Sequence, residues 1–583
     1  MQNASAGTAS LAADAEGSSP SRLAASSALF EWLKHGGPTP VRKPRAADAP
    51  PLVHLSDAFE IVGTEGNITL VAKRAVQTHH FICGVALTSV LHPRTEAVAP
   101  ARREVAARLA ERVRKWRTGG EGLLGEADDA YRIDMIMLLA LELLDMANSP
   151  FKAYLESLPS TADAAPPSLW PYLSASPGYD PAAGAAALSV LSDTSISSLL
   201  AVDDMELAPL LKQPHGEGDD ASRAGQAVLE GLAEAVPGAT VPHARACLLR
   251  ALALVTSRMI SGIGLVPLLD LCNGAIRDGG SGSGGGHNAT IERTQLAVSH
   301  EAAEAAPCVA ALSSRRIEAG EQVLLAYGSY SAARFLWTYG YIGGGPDLGK
   351  EATSPHDATC VIPRSLWPAL TPTQRTVLQK YGITAQKLGI EDDARPAGAD
   401  VTSDVTSDVT SRHRPTASPF RLPVAEASAG KTTPMMRQVG LIACIKDEST
   451  LLEIAKTGKL GTTHGVGAAD IARQVVAWCT AHAEGLARAS LAADVVASAG
   501  RSGLAAAHLR MALRVAHGER AGLLAWMAAL QEKHSAAIDG KEIEAVKERH
   551  AKCLKKLKRA IKDAASGGAA ATDDRHSAAV SVD

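Results

Sequence analysis

The spacing of apolar residues changes period several times along the chain, and those changes divide it. From Phe59 to Leu91 apolar residues fall in short runs (FEIVG, ITLVAKRAV, HFICGVALTSVL) bounded by glycine and polar residues, which predicts β-strands. From Arg102 to Trp116 the spacing turns helical. Between Tyr131 and Met146, Ile133, Ile136, Leu138, Leu139, Leu141, Leu143 and Leu144 leave almost no polar face, so this helix must be buried. Pro166 to Pro181, rich in Pro, Ser and aromatics, reads as a loop. Helical spacing resumes from Ala221 to Met259, with a break near Pro237 and Pro242. Strand-like runs return at Ala289–Val298, Val309–Leu312 and Gln322–Ala326, the last after the turn Glu318-Ala319-Gly320. β character therefore brackets a long helical stretch, and strands far apart in sequence are expected to build one sheet. Beyond about residue 350 the chain reads as helical, most clearly over 466–490, 501–533 and 540–563.

Composition sharpens this picture. A length of 583 residues implies several domains. Apolar residues make up 46% and charged residues 21%, ordinary for a soluble globular protein, while aromatics reach only 4%. Alanine takes many positions that Leu or Phe would fill, so the helices are expected to pack closely. Disorder is expected by composition in the Ala/Ser-rich 1–27, the Val-Thr-Ser-Asp repeats within 392–418, and the tail 566–583, and the Gly/Ser linker 277–286 reads as flexible. The net charge of −4 argues against nucleic acid as the main partner. The segment 540–563 holds nine basic residues, with Glu542, Glu544 and Glu548 towards its start. It reads as a solvated helix face matched to the helix dipole, an acidic partner or RNA being the alternative. Eight dispersed cysteines without a C-x-x-C pair read as buried thiols in a reducing compartment, and no zinc or other metal site is expected. No charge-free apolar run reaches about 18 residues, so no membrane span is expected. The start of the chain lacks a signal-type apolar core and an Arg-rich transit pattern. A cytoplasmic or nuclear location is expected, with a plastid as the alternative, and a monomeric state.

Candidate chemistry concentrates between Leu248 and Ile342. One stretch runs Gly264-Leu-Val-Pro-Leu-Leu-Asp270-Leu-Cys-Asn273; a second, His287-Asn288-Ala289-Thr290-Ile291-Glu292. The third is Arg316-Ile-Glu-Ala-Gly320-Glu321-Gln-Val-Leu-Leu-Ala-Tyr327-Gly328-Ser329, followed by Thr338-Tyr339-Gly340-Tyr341-Ile342. In this order and spacing they resemble the split-SET protein methyltransferases related to the Rubisco large-subunit lysine methyltransferase. In that family L-V-P-L-x-D-x-x-N-H, N-A-x-x-E, I-x-x-G-E-Q-V-x-x-x-Y-G-S and Y-G-F follow one another. Ser257-Arg258, Ser149–Pro159 with its F-x-x-Y-L, and Phe30–Leu33 extend the resemblance outward.

The resemblance implies an α+β fold. A SET-type, β-rich catalytic domain would span 28–345, interrupted by a helical insertion over about 92–255. An all-α domain like the family's substrate-binding domain would follow over 346–565. It also implies S-adenosylmethionine as cofactor and a lysine of another protein as substrate. Tyr327 matches the catalytic tyrosine and also lies at the cofactor; Tyr339 matches a tyrosine of the lysine channel. Arg258 matches the partner of the cofactor carboxylate, a task suited to a guanidinium fork. Asn273 and the backbone of Gly274 match contacts to the methionyl part and adenine edge, and Asp270 a residue that fixes the loop. Gly66 and Thr69 stand where a glycine-rich turn approaches the cofactor. The chain departs from the pattern at Gly274, where the family has histidine, at Thr69, where it has glycine, and at Ser331-Ala332-Ala333-Arg334, where a base replaces an acid. His287 is a candidate to replace the missing ring. Histidine methylation and a non-catalytic peptide-binding scaffold remain the alternatives.

Overall fold

The computed structural model describes residues 53–64, 67–117, 127–161, 165–175, 179–194, 220–260, 262–275, 287–296, 306–326, 331–340, 366–384, 430–457, 466–501 and 503–577, with short pieces at 29, 31–32, 211, 342, 358–359, 421–422 and 427. The stretches 1–27, 277–286 and 392–418 lie outside them. The chain forms two units.

The first unit takes its described residues from Met1–Thr161, Gln213–Ala275 and Gly286–Ala326. Its strands are β1 (Val53–Leu55), β2 (Phe59–Thr64), β3 (Asn67–Ala72), β4 (Phe81–Ala86), β5 (Asn273–Ala275), β6 (Ala289–Leu296), β7 (Ala306–Ser313) and β8 (Leu324–Ala326). Six of them form one mixed sheet in the order β1-β4-β7-β6-β8-β5, and β2 and β3 form a hairpin. Strands from the two distant β regions interleave: β4 pairs antiparallel with β7, setting Val85 opposite Val309. Such long-range pairing buries Ile82, Val85, Val309 and Ala310 completely, each larger apolar side chain contributing about 1.5–3 kcal/mol. The hairpin is held to the turn before β8, where Ala72 N–H donates to Glu321 O and Val323 N–H to Leu70 O, at 2.9 and 2.8 Å.

Four helices of this unit, α1 (Pro100–Arg117), α2 (Ala127–Leu144), α3 (Asp220–Glu234) and α4 (Val241–Arg258), pack on one another. The nearly all-apolar α2 is buried as its pattern requires, with Met135, Ile136, Leu138, Leu139 and Leu141 at most 1% exposed. Its buried acid Glu142 is matched by Arg102 at 3.1 Å and by the Ser149 hydroxyl. The break foreseen near Pro237 and Pro242 falls between α3 and α4. There Thr240 caps α4 by accepting from His243 N–H at 3.3 Å, and a proline sits in the first turn, where its missing N–H costs nothing.

The second unit takes its described residues from Ala162–Lys212, Ile276–Gly285 and Tyr327–Asp583. Among its described residues it is helical apart from a pair of two-residue strands, β9 (Ala358–Thr359) and β10 (Arg421–Leu422). Its helices include α5 (Ala332–Tyr339), α6 (Pro372–Lys380), α7 (Pro434–Cys444), α8 (Glu448–Thr457), α9 (Ala468–Ser490), α10 (Leu504–Lys533) and α11 (Gly540–Ser577). The Pro166–Pro181 segment is not a simple loop: Pro167–Ala175 is 3-10 helical. Its buried Trp170 stacks on His508 with ring centroids 4.4 Å apart and donates its indole N–H to Ala165 O at 3.0 Å. Burial of that ring fixes a segment whose prolines alone predict irregularity. The last helix runs on to Ser577, past Gly567 and Gly568, which are poor helix formers, and so overlaps the start of the tail 566–583 that composition reads as disordered; 578–583 lie outside the described residues.

Candidate active site

The residues of the L-V-P-L-L-D-L-C-N stretch are held by a tight approach of two backbones. Leu91 and Leu265 exchange N–H···O bonds, both at 3.0 Å. Gly264 sits there at φ 124°, and a Cβ on it would lie 2.4 Å from Leu91 O, so only glycine fits. Leu268, fully buried, takes φ 72°, a sterically costly value for a side-chain-bearing residue. The chain then makes a short 3-10 turn, Leu269–Leu271, and enters β5 at Asn273.

That turn delivers Asp270 to Arg258. Arg258 is in the last turn of α4, where a cation suits the helix dipole. Its Nη1 donates to Asp270 O at 2.6 Å. Its Nε is buried and meets no acceptor among the described residues. The Asp270 carboxylate oxygen Oδ2 accepts from the Tyr154 hydroxyl. Loss of water raises the Asp270 carboxyl to about 6, against the lowering pull of the Arg258 charge and the Tyr154 bond. Burial, with the Asp270 charge beside it, holds the Tyr154 phenol well above its ordinary value, so it stays a neutral donor. Arg258, Asp270 and Tyr154 share with Leu29 and Leu268 a cavity of about 10 Å³, the size of one water or one carboxylate oxygen.

Asn273 and Gly274 lie on β5, the outermost strand of the sheet order. β5 runs parallel to β8, with Asn273 opposite Leu324, Gly274 opposite Leu325 and Ala275 opposite Ala326. In an outermost strand one row of backbone N–H and C=O groups points away from the ladder. β8 ends one residue before Tyr327 in the sequence. Tyr327, Gly66 and Tyr341 lie outside the described residues.

Thr69, in β3, accepts at Oγ1 from Gln322 Nε2 at 2.6 Å, and β3 packs near the 3-10 turn that carries Asp270. Arg258, Asp270, Asn273, Gly274 and Thr69 thus belong to one connected set of elements within the first unit. Tyr339 belongs to the second unit, at the end of α5. Ser331 caps that helix on Arg334 N–H at 3.0 Å and Gly340 closes it at φ 76°. The Tyr339 ring is half-buried and tilted against Phe335 at 4.9 Å. His287 is half-buried just before β6.

Comparison with known proteins gives structural likeness without a sequence match. No protein-family model and no curated protein matches the chain. Among solved structures the chain is similar to the SET domain of LSMT bound to lysine and AdoHcy, at 14% identity and TM-score 0.46, over 89% of this chain and 93% of that one. It is also similar to Rubisco LSMT bound to sinefungin and monomethyllysine, at 14% identity and TM-score 0.48, over 88% and 93%. A third similar structure is Rubisco LSMT bound to AdoMet, at 14% and 0.44, over 88% and 93%.

Two residues matter more than their sequence motifs suggest. Tyr154 was legible only as the aromatic in F-x-x-Y-L, yet its hydroxyl is the partner of Asp270. Asn288 is fully buried and pins the approach to β8. Its Nδ2 donates to Gln322 O at 2.8 Å and to Glu321 Oε1 at 3.1 Å, and its Oδ1 accepts from Leu324 N–H at 2.8 Å. Burial raises Glu321, but Arg315 at 2.5 Å and the Glu318 N–H at 2.9 Å outweigh it and hold the carboxyl below its ordinary value. The signal in the sequence is its place at the head of the N-A-x-x-E match, Asn288-Ala289-Thr290-Ile291-Glu292; once buried, such an amide has several donor and acceptor sites to satisfy. Among the described residues no group of three or more His, Cys, Asp or Glu could hold a metal, and no helix is long and apolar enough to cross a membrane.

Proposed function

We propose that this protein is an S-adenosylmethionine-dependent protein-lysine N-methyltransferase acting on a non-histone, ribosomal or enzyme-type protein. The observation that carries the reading is the Arg258–Asp270–Asn273 arrangement. A half-buried arginine keeps a buried Nε with no acceptor among the described residues, beside the very loop whose sequence, order and spacing match the methyltransferase motifs. An orphaned donor of this kind suits the carboxylate of the cofactor. The adjoining 10 Å³ cavity admits one oxygen of that group and not the cofactor's body; the body would lie along β5, against Asn273 and Gly274.

Bound S-adenosylmethionine would supply an electrophilic methyl group on a sulfonium. The chain's own task is to bring a neutral amine into line with it. Free lysine has a pKa of about 10.4, so it must lose its proton or its water on entry. Tyr327, following β8, would orient the amine by its hydroxyl; positioning of that kind is worth up to about 7–11 kcal/mol. Tyr339 would offer its π face to the cationic head. Arg258 would hold the cofactor carboxylate, while Asp270 and Tyr154 hold Arg258 and the loop in place.

Incubation with labelled S-adenosylmethionine and a cell extract, followed by mapping of the modified residue, tests the reading. Label on lysine is expected, and Tyr327→Phe should cut transfer by about 10²-fold or more. Label on histidine would favour the related branch of the family. Cofactor-independent peptide binding with no transfer would make the protein a scaffold.

A further inference from the structure

Helices α9, α10 and α11 line an open cleft of about 540 Å³, with Arg488, Arg520, Arg549, Lys552 and Lys556 against a single acid, Glu484. Its volume is that of a small-ligand site, about 300–1,000 Å³. Arg549 is paired with Glu484 at 2.8 Å, and Lys552 reaches Glu548 at 2.6 Å. No carboxylate within ion-pair distance answers Arg488, Arg520 or Lys556 among the described residues.

Arg520 is the informative member. It is 3% exposed, and its Nε and Nη1 meet no acceptor among the described residues. A buried guanidinium with idle donors is costly unless something with negative charge fills the space in front of it. The surrounding field points the same way. Burial, then the Arg520 charge, holds His550 down at about 4; burial, then His550, Arg520 and Lys558, does the same to His517. Both ring nitrogens of His517 also lack partners among the described residues.

We infer that this cleft binds a small polyphosphate, an organic molecule with two or more adjacent phosphate groups, with Arg520 on its floor and Arg488 and Lys556 at its rim. Planar guanidinium forks match phosphate oxygens, and ammonium groups neutralise the remaining charge. The lining holds no aromatic ring on which a base could stack, which disfavours single-stranded RNA. No residue of the methyl-transfer reading takes part, so either claim can fail alone.

Calorimetric titration of the full chain at low salt tests the inference, with inorganic tripolyphosphate as the probe and orthophosphate, hexaglutamate and a short single-stranded RNA as controls. Tripolyphosphate should bind with one-site stoichiometry, more tightly than any control, and weaken as salt is raised. Arg520→Gln should reduce its affinity about tenfold or more. Should that variant fail to fold, the surface variant Arg488→Gln/Lys556→Gln decides, with a similar reduction expected. Absence of binding to the wild type, equal affinity in wild type and the Arg488→Gln/Lys556→Gln variant, or tighter binding of RNA or hexaglutamate would overturn it.

Discussion

Burial pushes the Asp270 carboxyl up to about 6 even though Arg258 and Tyr154 both favour its charged form. In the unfolded chain the group titrates near 3.9. Between about pH 4 and 6 the native state therefore binds more protons than the unfolded one. The contribution is fully present below about pH 4 and is lost as pH rises through 6. Two units correspond to about 3 kcal/mol at most. Asp270→Asn removes this titration while keeping an acceptor for Tyr154. The stability of wild type relative to Asp270→Asn, from urea unfolding, should fall between pH 4 and 7; a pH-independent difference would show that Asp270 is not held in this state. Tyr154 and Asp270 are 116 positions apart in the chain, and no local pattern links them. That is why Arg258 and Asp270 could each be read from their motif, but the pairing of Asp270 with Tyr154 could not.

At the scale of elements, two positions control how the loop and β8 are presented. Asn288→Ala leaves the Leu324 N–H without its 2.8 Å acceptor, which should cost about 1–3 kcal/mol and lower the denaturant midpoint. Gly264→Ala places a methyl group against Leu91 O at a positive φ, and should destabilise by about 1–3 kcal/mol or more. Normal stability in either variant would mean that the close approach is not needed. The strands and helices themselves were legible because period 2 and period 3.6 differ plainly in FEIVG and in the Tyr131–Met146 run. Their pairing was legible only in outline. Which strand lies beside which, β7 between β4 and β6 for example, depends on contacts across more than two hundred residues of chain. The Pro167–Ala175 segment reads as irregular in sequence because prolines mark breaks, whereas burial of Trp170 imposes 3-10 order there.

For the whole molecule, a ligand that binds only the folded chain must add to its stability. S-adenosylmethionine at 100 times its dissociation constant should raise the unfolding free energy by about 2.7 kcal/mol, visible as a rise in the thermal midpoint. The division into two units assigns 162–212 to the helical unit, although the sequence places it inside the long insertion; apolar period tells which residues are buried but not against which partner. The most direct test of the central claim is equilibrium titration of the full chain with S-adenosylmethionine, wild type beside Arg258→Ala. One-site binding is predicted for the wild type, with affinity reduced about 10- to 100-fold in the variant, as expected for loss of a charged hydrogen-bond partner. No binding to the wild type, or equal affinity in the two proteins, would contradict it.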